Sequence, residues 1–420
     1  MTEARRRDLV VVGAGAAGLF SAIWAGRTAA DAARTLSVDA LDGASRLGAK
    51  ILVAGGGRCN VTHWRVDERD YAGSTAPAIR KVLRRFDESR TVEFFRELGV
   101  ELKREDTGKL FPVTDDARTV LDALLGAARS AGVSLVHPDR VTAVTRRGDG
   151  FAVESASGTV EARRVVLCTG GKALPKSGSD GTGLEIARGL GHSLTDHVVP
   201  SLVPLRLEAG HWITALSGLT VPAELVLRSG TGKRITAFAD STLCTHFGLS
   251  GPSVLNVSRH WTMTRFEDPG ARLELCWTPG TDLEALDRRL VDAKGRSVGA
   301  VLRDLLPDRL VRALCEAAGV DHAATPQQLG RDRRRALATL VTATPLPVIG
   351  DRGFTFAEAT AGGVPLTEVR LETMESRIVP GLHLAGEVLD VDGRIGGFNF
   401  QWAWSSGYVA GCSASQALLG

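Results

Sequence analysis

Cysteine is scarce and scattered in this sequence, and no metal-binding pattern is present. None of the six cysteines belongs to a C-x-x-C pair, and no group of histidines and cysteines has the spacing of a metal site. In a chain of 420 residues, this pattern predicts reduced, mostly buried thiols in a cytoplasmic protein without a metal centre. The cysteines are Cys59, Cys168, Cys244, Cys276, Cys315 and Cys412.

Long apolar runs and a strong net charge are also missing. No run reaches the roughly 18 apolar residues of a membrane span, so we expect no membrane partner. The net charge of +3 does not indicate the basic stripe of a nucleic-acid-binding protein, so we expect no nucleic-acid partner. The remaining expected partner is a small-molecule substrate, and the sequence does not indicate an oligomeric state.

Three glycines near the N terminus follow a short apolar run. Residues 8–27 read DLVVVGAGAAGLFSAIWAGR, in which Gly13, Gly15 and Gly18 form G-x-G-x-x-G. The basic residues just before this stretch imitate a secretory leader, but the glycine spacing favours a strand, a tight turn and a helix. In such a turn the second glycine lets a pyrophosphate approach the backbone, and the helix N terminus binds it.

A second predicted strand, 36-LSVDALD-42, ends in an acidic residue. Asp42 lies 24 residues after Gly18, close to the spacing of about 20 for the carboxylate that binds the ribose hydroxyls. Asp39 is the alternative, but it lies within the strand, where alternation would turn it towards solvent. We therefore favour Asp42, and an acidic residue here indicates FAD or NAD rather than NADP.

The glycine run in 47-LGAKILVAGGGRCNVTH-63 has a high cost in backbone entropy. A flexible loop is one interpretation. The other is a backbone that lies against a flat ligand, and we favour it because the dinucleotide motif lies upstream.

The order of predicted elements indicates an α/β protein with a discontinuous Rossmann-like domain. The apolar strands 165–171 and 382–387 are expected to join the N-terminal sheet, whereas residues 202–277 contain short β-type runs. We predict an FAD-binding domain at 1–195 and 345–420, a β-domain at 196–280 and about 336–350, and a helical insertion at 281–335. No second G-x-G-x-x-G is present, so a separate nicotinamide-binding Rossmann domain is not expected.

Six motifs together resemble one family. They are GAGAAG, LGAKILVAGGGRCNVTH, TGGKALPKSGSDGTG, THFGLSGPSVL, TAGGVPLTEV and GEVLDVDGRIGGFNFQWAWSSGYVAG, which extend from residue 13 to residue 411. The chain resembles the BaiN-like flavoproteins, also called aminoacetone-oxidase-like FAD-binding proteins. This resemblance implies a glutathione-reductase-like FAD fold with an inserted β-domain and an inserted helical domain.

The resemblance also implies non-covalent FAD and a set of residues that bind it. The glycine turn would face the pyrophosphate, Asp42 the adenosine ribose, residues 55–62 the flavin, and the helix after Gly397 the pyrimidine end of the ring. The family usually has Glu at the position of Asp42. The complete expected set is Gly13, Gly15, Ala16, Ala17, Gly18, Asp42, Lys50, Gly55, Gly56, Gly57, Arg58, Cys59, Asn60, Thr62, Thr169, Gly170, Gly171, Gly386, Glu387, Gly397, Phe398, Asn399 and Phe400.

Candidates for substrate chemistry are His246, Arg58 and Arg394. His246 lies in THFGLSGP and is either a structural residue or one that faces the flavin. Each arginine would anchor an anionic substrate or balance the charge of reduced flavin, or else pair with a carboxylate. Cys59 has no partner cysteine within a few residues, so we interpret it as a packed thiol rather than a redox group.

The resulting hypothesis is an FAD-dependent oxidoreductase of a small organic substrate. We favour NAD(P)H-linked reduction, for example of a conjugated C=C bond, with NAD(P)H as a transient electron donor. An oxygen-using amine oxidase is the first alternative. A flavoprotein associated with RNA modification and a non-catalytic FAD-binding protein are the others.

Overall fold

The computed structural model describes residues 5–420, so residues 1–4 of the predicted FAD-binding domain lie outside the described part. The chain forms two compact units. The first contains residues up to Pro200 together with Glu358–Gly420, and the second is Ser201–Ala357. The predicted finer division of the second unit at residues 280 and 335 stays a prediction.

Twelve α-helices lie within residues 5–420. They are α1 Ala16–Asp31, α2 Ala49–Gly57, α3 Ala76–Leu83, α4 Glu88–Glu97, α5 Ala117–Ser130, α6 Thr182–Gly189, α7 Pro252–Glu267, α8 Leu283–Asp292, α9 Val298–Leu302, α10 Asp308–Ala317, α11 Gly330–Thr342 and α12 Phe398–Leu419.

The same part of the chain contains 23 strands. They are β1 Arg5–Val12, β2 Val38–Leu41, β3 Thr62–His63, β4 Tyr71–Gly73, β5 Leu102–Arg104, β6 Lys109–Pro112, β7 Val133–Val136, β8 Val141–Arg147, β9 Gly150–Ser155, β10 Gly158–Leu167, β11 Val199–Ser201, β12 Leu205–Leu207, β13 Thr220–Arg228, β14 Arg234–Thr245, β15 Gly248–Ser250, β16 Arg272–Cys276, β17 Thr344–Leu346, β18 Val348–Asp351, β19 Ala359–Ala361, β20 Val369–Arg370, β21 Glu375–Ser376, β22 Leu382–Leu384 and β23 Val391–Gly393.

The first unit is built on a mainly parallel sheet. Its order is β20-β21-β22-β10-β1-β2-β7, and the pairs from β22 to β7 are all parallel. The predicted N-terminal strand is therefore confirmed as β1. The strands predicted at 165–171 and 382–387 join its sheet as β10 and β22, as expected. From β1 the chain continues to β2, which pairs with one edge of β1. It later forms β10, which pairs with the other edge. This reversal creates the crevice at the carboxyl ends of the strands where α/β sheets bind nucleotides.

The first and last helices of the first unit pack closely together. A Cβ added to Gly407 would lie 2.7 Å from the carbonyl oxygen of Ala17, and one added to Gly411 would overlap the carbonyl of Ser21. The glycines of the C-terminal SSGYVAG segment therefore allow α12 to approach the backbone of α1. This contact holds α1 against α12.

The second unit is an antiparallel sheet covered by helices. Its strand order is β17-β16-β13-β14-β15-β12-β18, and α7 packs against β13 and β14. Apolar residues from the sheet, such as Leu225 and Leu273, share one buried core with Leu290 of α8 and Leu310 of α10.

A buried hydrogen-bonded cluster fixes the edge of the first unit's sheet. The ring of His192 contacts Glu368 Oε2 through Nδ1 (2.7 Å) and Ser376 Oγ through Nε2 (2.9 Å). Ser376 Oγ also accepts the backbone N–H groups of Ile378 and Val379. This order of groups is that of a hydrolase triad, but Ser376 is only 1% exposed, so the cluster is structural.

Glu368→Gln is expected to destabilise the protein by about 1.5–3 kcal/mol at neutral pH. Burial alone would raise the pKa of Glu368, but hydrogen bonds from Ser193 and His192 outweigh it and lower the pKa below its ordinary value of 4.5. The stabilisation is therefore present above pH 4.5 and is lost as the pH falls through the lower folded-state pKa. Urea denaturation at several pH values measures the difference in the free energy of unfolding between wild type and variant. A difference between wild type and variant that stays constant into the acid range would contradict the assignment.

Among residues 5–420, no helix has the length and apolarity needed to cross a bilayer. All six cysteines are free, and five of them are buried. The prediction of packed thiols is confirmed by this burial.

Candidate cofactor-binding site

Two glycines of the N-terminal turn are required by the chain's own packing. Gly13 has a left-handed φ of +93°, and a Cβ there would lie 2.6 Å from the carbonyl oxygen of Cys168. A Cβ on Gly18 would overlap the carbonyl oxygen of Gly13. These two glycines therefore bring β1, β10 and the start of α1 into close contact.

Gly15 is different, because nothing in the protein requires a glycine there. Its φ is −78°, which any residue adopts, and no protein atom lies within 4 Å of an added Cβ. It precedes Ala16 at the start of α1, which has no side-chain cap. The first turn of α1 therefore has no side-chain cap, and a methyl group on Gly15 would enter open space beside it, as a pyrophosphate site requires. The residues present fit a dinucleotide cofactor.

Asp42 follows β2 beside this turn. Its Oδ2 accepts the N–H of Ala14 (2.7 Å) and its Oδ1 accepts the N–H of Ala44 (2.8 Å). The expectation that Asp39 turns towards solvent is wrong. Asp39 is fully buried and forms ion pairs with Arg5 and Arg7 (2.6 and 2.8 Å). The buried face of β2 is therefore lined by an ion-paired carboxylate that alternation alone does not predict.

A charged pair lies beyond the carboxyl end of β22. Lys50 Nζ forms an ion pair with Glu387 Oε2, and Glu387 Oε1 accepts the N–H of Thr360 (2.7 Å). The preceding Gly386 has a φ of +77°, and a Cβ there would lie 2.7 Å from the Cβ of Ala17 in α1. The structure thus brings Lys50, Gly386 and Glu387 close to the glycine turn.

The segment after the carboxyl end of β10 contains three further residues that were predicted to bind the cofactor. Thr169, Gly170 and Gly171 follow the strand, and Gly170 has a φ of +73°. A Cβ on Gly171 would overlap the hydroxyl of Thr360, which itself accepts the N–H of Ala173 (3.0 Å). This segment is therefore fixed at the same sheet edge as Glu387.

The triple-glycine segment ends α2 in a left-handed turn. Gly55, Gly56 and Gly57 have φ values of +58°, +70° and +87°. A Cβ on Gly55 would approach the ring of Phe111 to 2.8 Å, but no atom lies within 4 Å of one on Gly56. Like Gly15, Gly56 leaves open space in front of the backbone.

The two residues after this turn are Arg58, which pairs with acidic side chains, and Cys59, which is buried. Arg58 contacts Glu105 Oε1 (2.6 Å) and Asp115 Oδ1 (3.5 Å), and its guanidinium lies 4.0 Å from the centre of the Phe111 ring. Arg58 therefore pairs with carboxylates in this structure. Cys59 is fully buried, and this burial raises the pKa of its thiol to about 12.

Asn60 and Thr62 contact the turn that begins the last helix. With its amide oxygen towards Gly397 N (3.0 Å), the side chain of Asn60 donates to Thr62 O (2.9 Å) and Leu110 O (3.3 Å). Gly397 has a φ of +93°, and a Cβ there would lie 2.5 Å from the carbonyl carbon of Thr62. The predicted loop and helix start therefore meet.

Helix α12 begins at Phe398, directly after Gly397, as the family resemblance implies. Phe398 stacks on His63 with centroids 4.9 Å apart, and its carbonyl accepts the hydroxyl of Tyr71 (2.9 Å). The side chain of Asn399 bonds both the N–H and the carbonyl of Gly393 (2.9 and 3.0 Å). The first turn of this 22-residue helix is therefore held by contacts with His63, Tyr71 and Gly393.

The two tryptophans of α12 are packing residues. Trp402 and Trp404 are 2% and 0% exposed. Trp402 Nε1 donates to Gly386 O (3.2 Å), and Trp404 Nε1 donates to Val61 O (2.9 Å). Phe400 stacks on Trp404 at 5.5 Å between centroids. These contacts tie α12 to two of the loops described above.

The other two candidate residues for substrate chemistry are Arg394 in the first unit and His246 in the second unit. Arg394 pairs with Asp70 Oδ1 at 3.2 Å. His246 is exposed in the turn between β14 and β15 of the second unit, with its ring 5.1 Å from that of Phe247.

Two features of the site have no clear signal in the sequence. Gln401 is fully buried and its Oε1 accepts the hydroxyls of Thr62 and Thr91 (2.7 and 2.9 Å). Glu358 reaches solvent, but the protein atoms around it reduce its hydration and raise its pKa, against the opposing charges of Lys109 and Lys50. Both depend on contacts between distant segments.

Comparison with known proteins gives the family and three close relatives. The model of the "HI0933-like protein Rossmann domain" matches residues 7–413. A 3-dehydro-bile acid delta(4,6)-reductase of Clostridium scindens is 33% identical over 97% of this chain and 98% of its own. Two proteins named ribosomal RNA dihydrouridine synthase are similar as well. That of Escherichia coli is 33% identical over 96% of this chain and 97% of its own, and that of Haemophilus influenzae 30% over 97% and 98%.

The parallel sheet, the glycine turn and the open backbone at Gly15 define an FAD-binding Rossmann flavoprotein. The chain belongs to the HI0933-like family, and it is an FAD-dependent oxidoreductase. The predicted fold class and family are thereby confirmed.

Proposed function

We propose that this protein uses FAD to reduce a C=C bond conjugated to a carbonyl group, with NADH or NADPH as electron donor. The observation that carries the proposal is the common chemistry in the names of its relatives. A 3-oxo steroid with double bonds at positions 4 and 6 and the uracil ring both present a C=C bond conjugated to C=O. Two such different molecules have this bond in common.

The arrangement of the first unit supports this role for FAD. In the proposal, the N–H groups after Gly15 hold the pyrophosphate and Asp42 holds the adenosine ribose. The Lys50–Glu387 pair and the backbone at Gly56 lie along the flavin. FAD supplies the hydride chemistry, and the protein supplies orientation and electrostatics.

The start of α12 has an electrostatic role in the proposal. Reduction places negative charge at the pyrimidine end of the flavin, and the first turn of a long helix offers free N–H groups and the positive end of the helix dipole. Asn399 keeps this turn against Gly393, and Asn60 keeps Gly397 in place. These side chains position the helix and leave its backbone donors to the cofactor.

The electron donor is the first element to test. We expect NADH or NADPH to bleach the bound flavin in the absence of oxygen, and a conjugated enone to restore its colour under the same conditions. Cyclohexenone and a 3-oxo-4,6-diene steroid serve as acceptors, with cyclohexanone as the matched acceptor without the double bond. Bleaching by an amine but by neither nicotinamide would support the amine oxidase instead. Failure of every donor and acceptor would support a non-catalytic FAD-binding protein.

A second candidate, reduction of uracil in ribosomal RNA, is favoured by the names of two relatives that match nearly the whole chain. Ribosomal RNA from cells lacking the protein would be incubated with the holoprotein and NADPH. Formation of dihydrouridine at a defined position would support RNA as the substrate. Rapid turnover of the steroid without modification of RNA would support a small-molecule substrate.

A cytoplasmic location stays a prediction.

A further inference from the structure

The ring of His63 in β3 contacts the residue that begins the last helix. It stacks on Phe398 with 23° between the ring planes and 4.9 Å between the centroids. Both ring nitrogens lie against backbone carbonyl oxygens, with Nδ1 at 2.7 Å from Arg65 O and Nε2 at 3.1 Å from Thr107 O. The neighbouring turn leaves room for the ring, because Gly108 has a φ of +84° and a Cβ there would lie 2.5 Å from Nε2.

These two contacts determine which protons the ring carries. A carbonyl oxygen only accepts hydrogen bonds, and a neutral imidazole has a single N–H donor. In either neutral tautomer, one ring nitrogen of His63 would point its lone pair at a carbonyl oxygen. The N–H of Arg65 also lies 3.3 Å from Nδ1, but the carbonyl oxygen of Arg65 is closer, at 2.7 Å. The state that satisfies both carbonyl contacts therefore has a proton on each ring nitrogen.

The positive charge of such a ring is not neutralised by an acidic partner. Within residues 5–420, no carboxylate forms an ion pair with His63, whereas His192 contacts Glu368 Oε2 at 2.7 Å. The register partner of His63 in β6 is Lys109, which is also basic. The charge is therefore available to a group bound at the start of α12.

We propose that His63 holds a proton on each ring nitrogen and that its charge stabilises reduced FAD relative to oxidised FAD. The position of the flavin rests on the proposed function, in which the pyrimidine end of the ring lies at the first turn of α12. Reduction by hydride adds two electrons and one proton, so the flavin gains one negative charge. A cation fixed against Phe398 attracts this charge, and it has little effect on the neutral oxidised ring. His63 acts through the helix start, so it is a positioning residue.

Nitrogen NMR of the holoprotein tests the protonation of the ring. The protein is prepared with isotope-labelled histidine, and the His63 signals are assigned by their loss in His63→Phe. We expect both ring nitrogens of His63 to carry a proton at neutral pH. A ring nitrogen without a proton would overturn the inference.

The effect on the cofactor is measured without substrate turnover. The holoprotein is equilibrated in the absence of oxygen with a reference dye of known potential, and the ratio of reduced to oxidised FAD is read from the absorbance. His63→Phe keeps an aromatic ring against Phe398 but removes the charge. At the same dye potential, this variant should show a ratio about 3- to 10-fold lower than the wild type.

The matched control is Arg104→Gln, which removes a positive charge from the same three-stranded sheet. The guanidinium of Arg104 lies 3.8 Å from the ring centre of Trp64. This variant should keep the ratio within about twofold of the wild type. An equal effect of both variants, or no effect of His63→Phe, would show that the charge of His63 does not act on the flavin. If enones are not reduced but the ratio still depends on His63, the inference stands and the proposed reaction falls.

Discussion

Gly15→Ala is expected to weaken FAD binding by about 10- to 100-fold and to leave the folding of the apoprotein nearly unchanged. The backbone at Gly15 is compatible with alanine, and no protein atom lies within 4 Å of the new methyl group. The methyl would instead occupy the space in front of the helix N terminus, and overpacking of this kind costs about 1–3 kcal/mol. Titration of the apoprotein with FAD, followed by flavin fluorescence, measures the affinity.

Gly18→Ala is the matched variant, and for this variant we expect the apoprotein itself to be destabilised. Its methyl would overlap the carbonyl oxygen of Gly13, which is fixed backbone. We therefore expect a lower melting temperature for the apoprotein as well as weaker FAD binding. If Gly15→Ala binds FAD as tightly as the wild type, the pyrophosphate does not lie at this turn. Equal destabilisation of both apoproteins would mean that Gly15 is needed for packing.

Trp404→Ala is expected to lower the free energy of unfolding by about 3–5 kcal/mol. The indole is fully buried, stacks on Phe400, and also packs against Phe20 and Phe95. Its removal leaves a large cavity and an unpaired carbonyl at Val61. Because the helix start at Gly397 depends on this packing, the variant should also lose FAD more readily during denaturation. Urea denaturation followed by circular dichroism and by flavin release measures both effects.

Two further variants separate the contributions at this position. Trp404→Phe keeps much of the ring but not the hydrogen bond to Val61, and should cost about 1–3 kcal/mol. Ile378→Ala, at a side chain that is 45% exposed, should change stability by less than about 0.5 kcal/mol. A Trp404→Ala variant as stable as Ile378→Ala would show that α12 does not depend on the indole.

The sequence predicts those parts of the molecule that depend on short-range backbone constraints. Gly13 and Gly18 mark the first turn because no other residue fits there, and Gly397 marks the start of α12 for the same reason. The strands at 165–171 and 382–387 could be assigned to the N-terminal sheet because apolar runs followed by glycine have few other uses in an α/β fold. The FAD-binding roles of individual residues stay predictions.

Contacts between distant segments were not predictable from the pattern. Asp39 follows the polar alternation of an exposed position, but Arg5 and Arg7 on the neighbouring strand allow its burial. Gln401 lies among apolar residues, and its buried role depends on Thr62 and Thr91 from other elements. The guanidinium of Arg352 likewise lies 4.4 Å from the ring of Phe247 and 3.6 Å from that of Phe356, and no motif connects these residues. Sequence spacing carries no information about such tertiary partners.

The contact between α1 and α12 has a consequence for the synthesis of the protein. The contact between Ser21 in the first helix and Gly411 forms only after α12 has been synthesised. The second unit is continuous in sequence, from Ser201 to Ala357, so all of it is synthesised before α12. We therefore expect the second unit to fold before the first unit, whose packing is complete only when α12 is present. A premature stop codon before α12 would leave a first unit without its last helix, and the apolar face of α1 that packs against α12 would be exposed to proteases and chaperones.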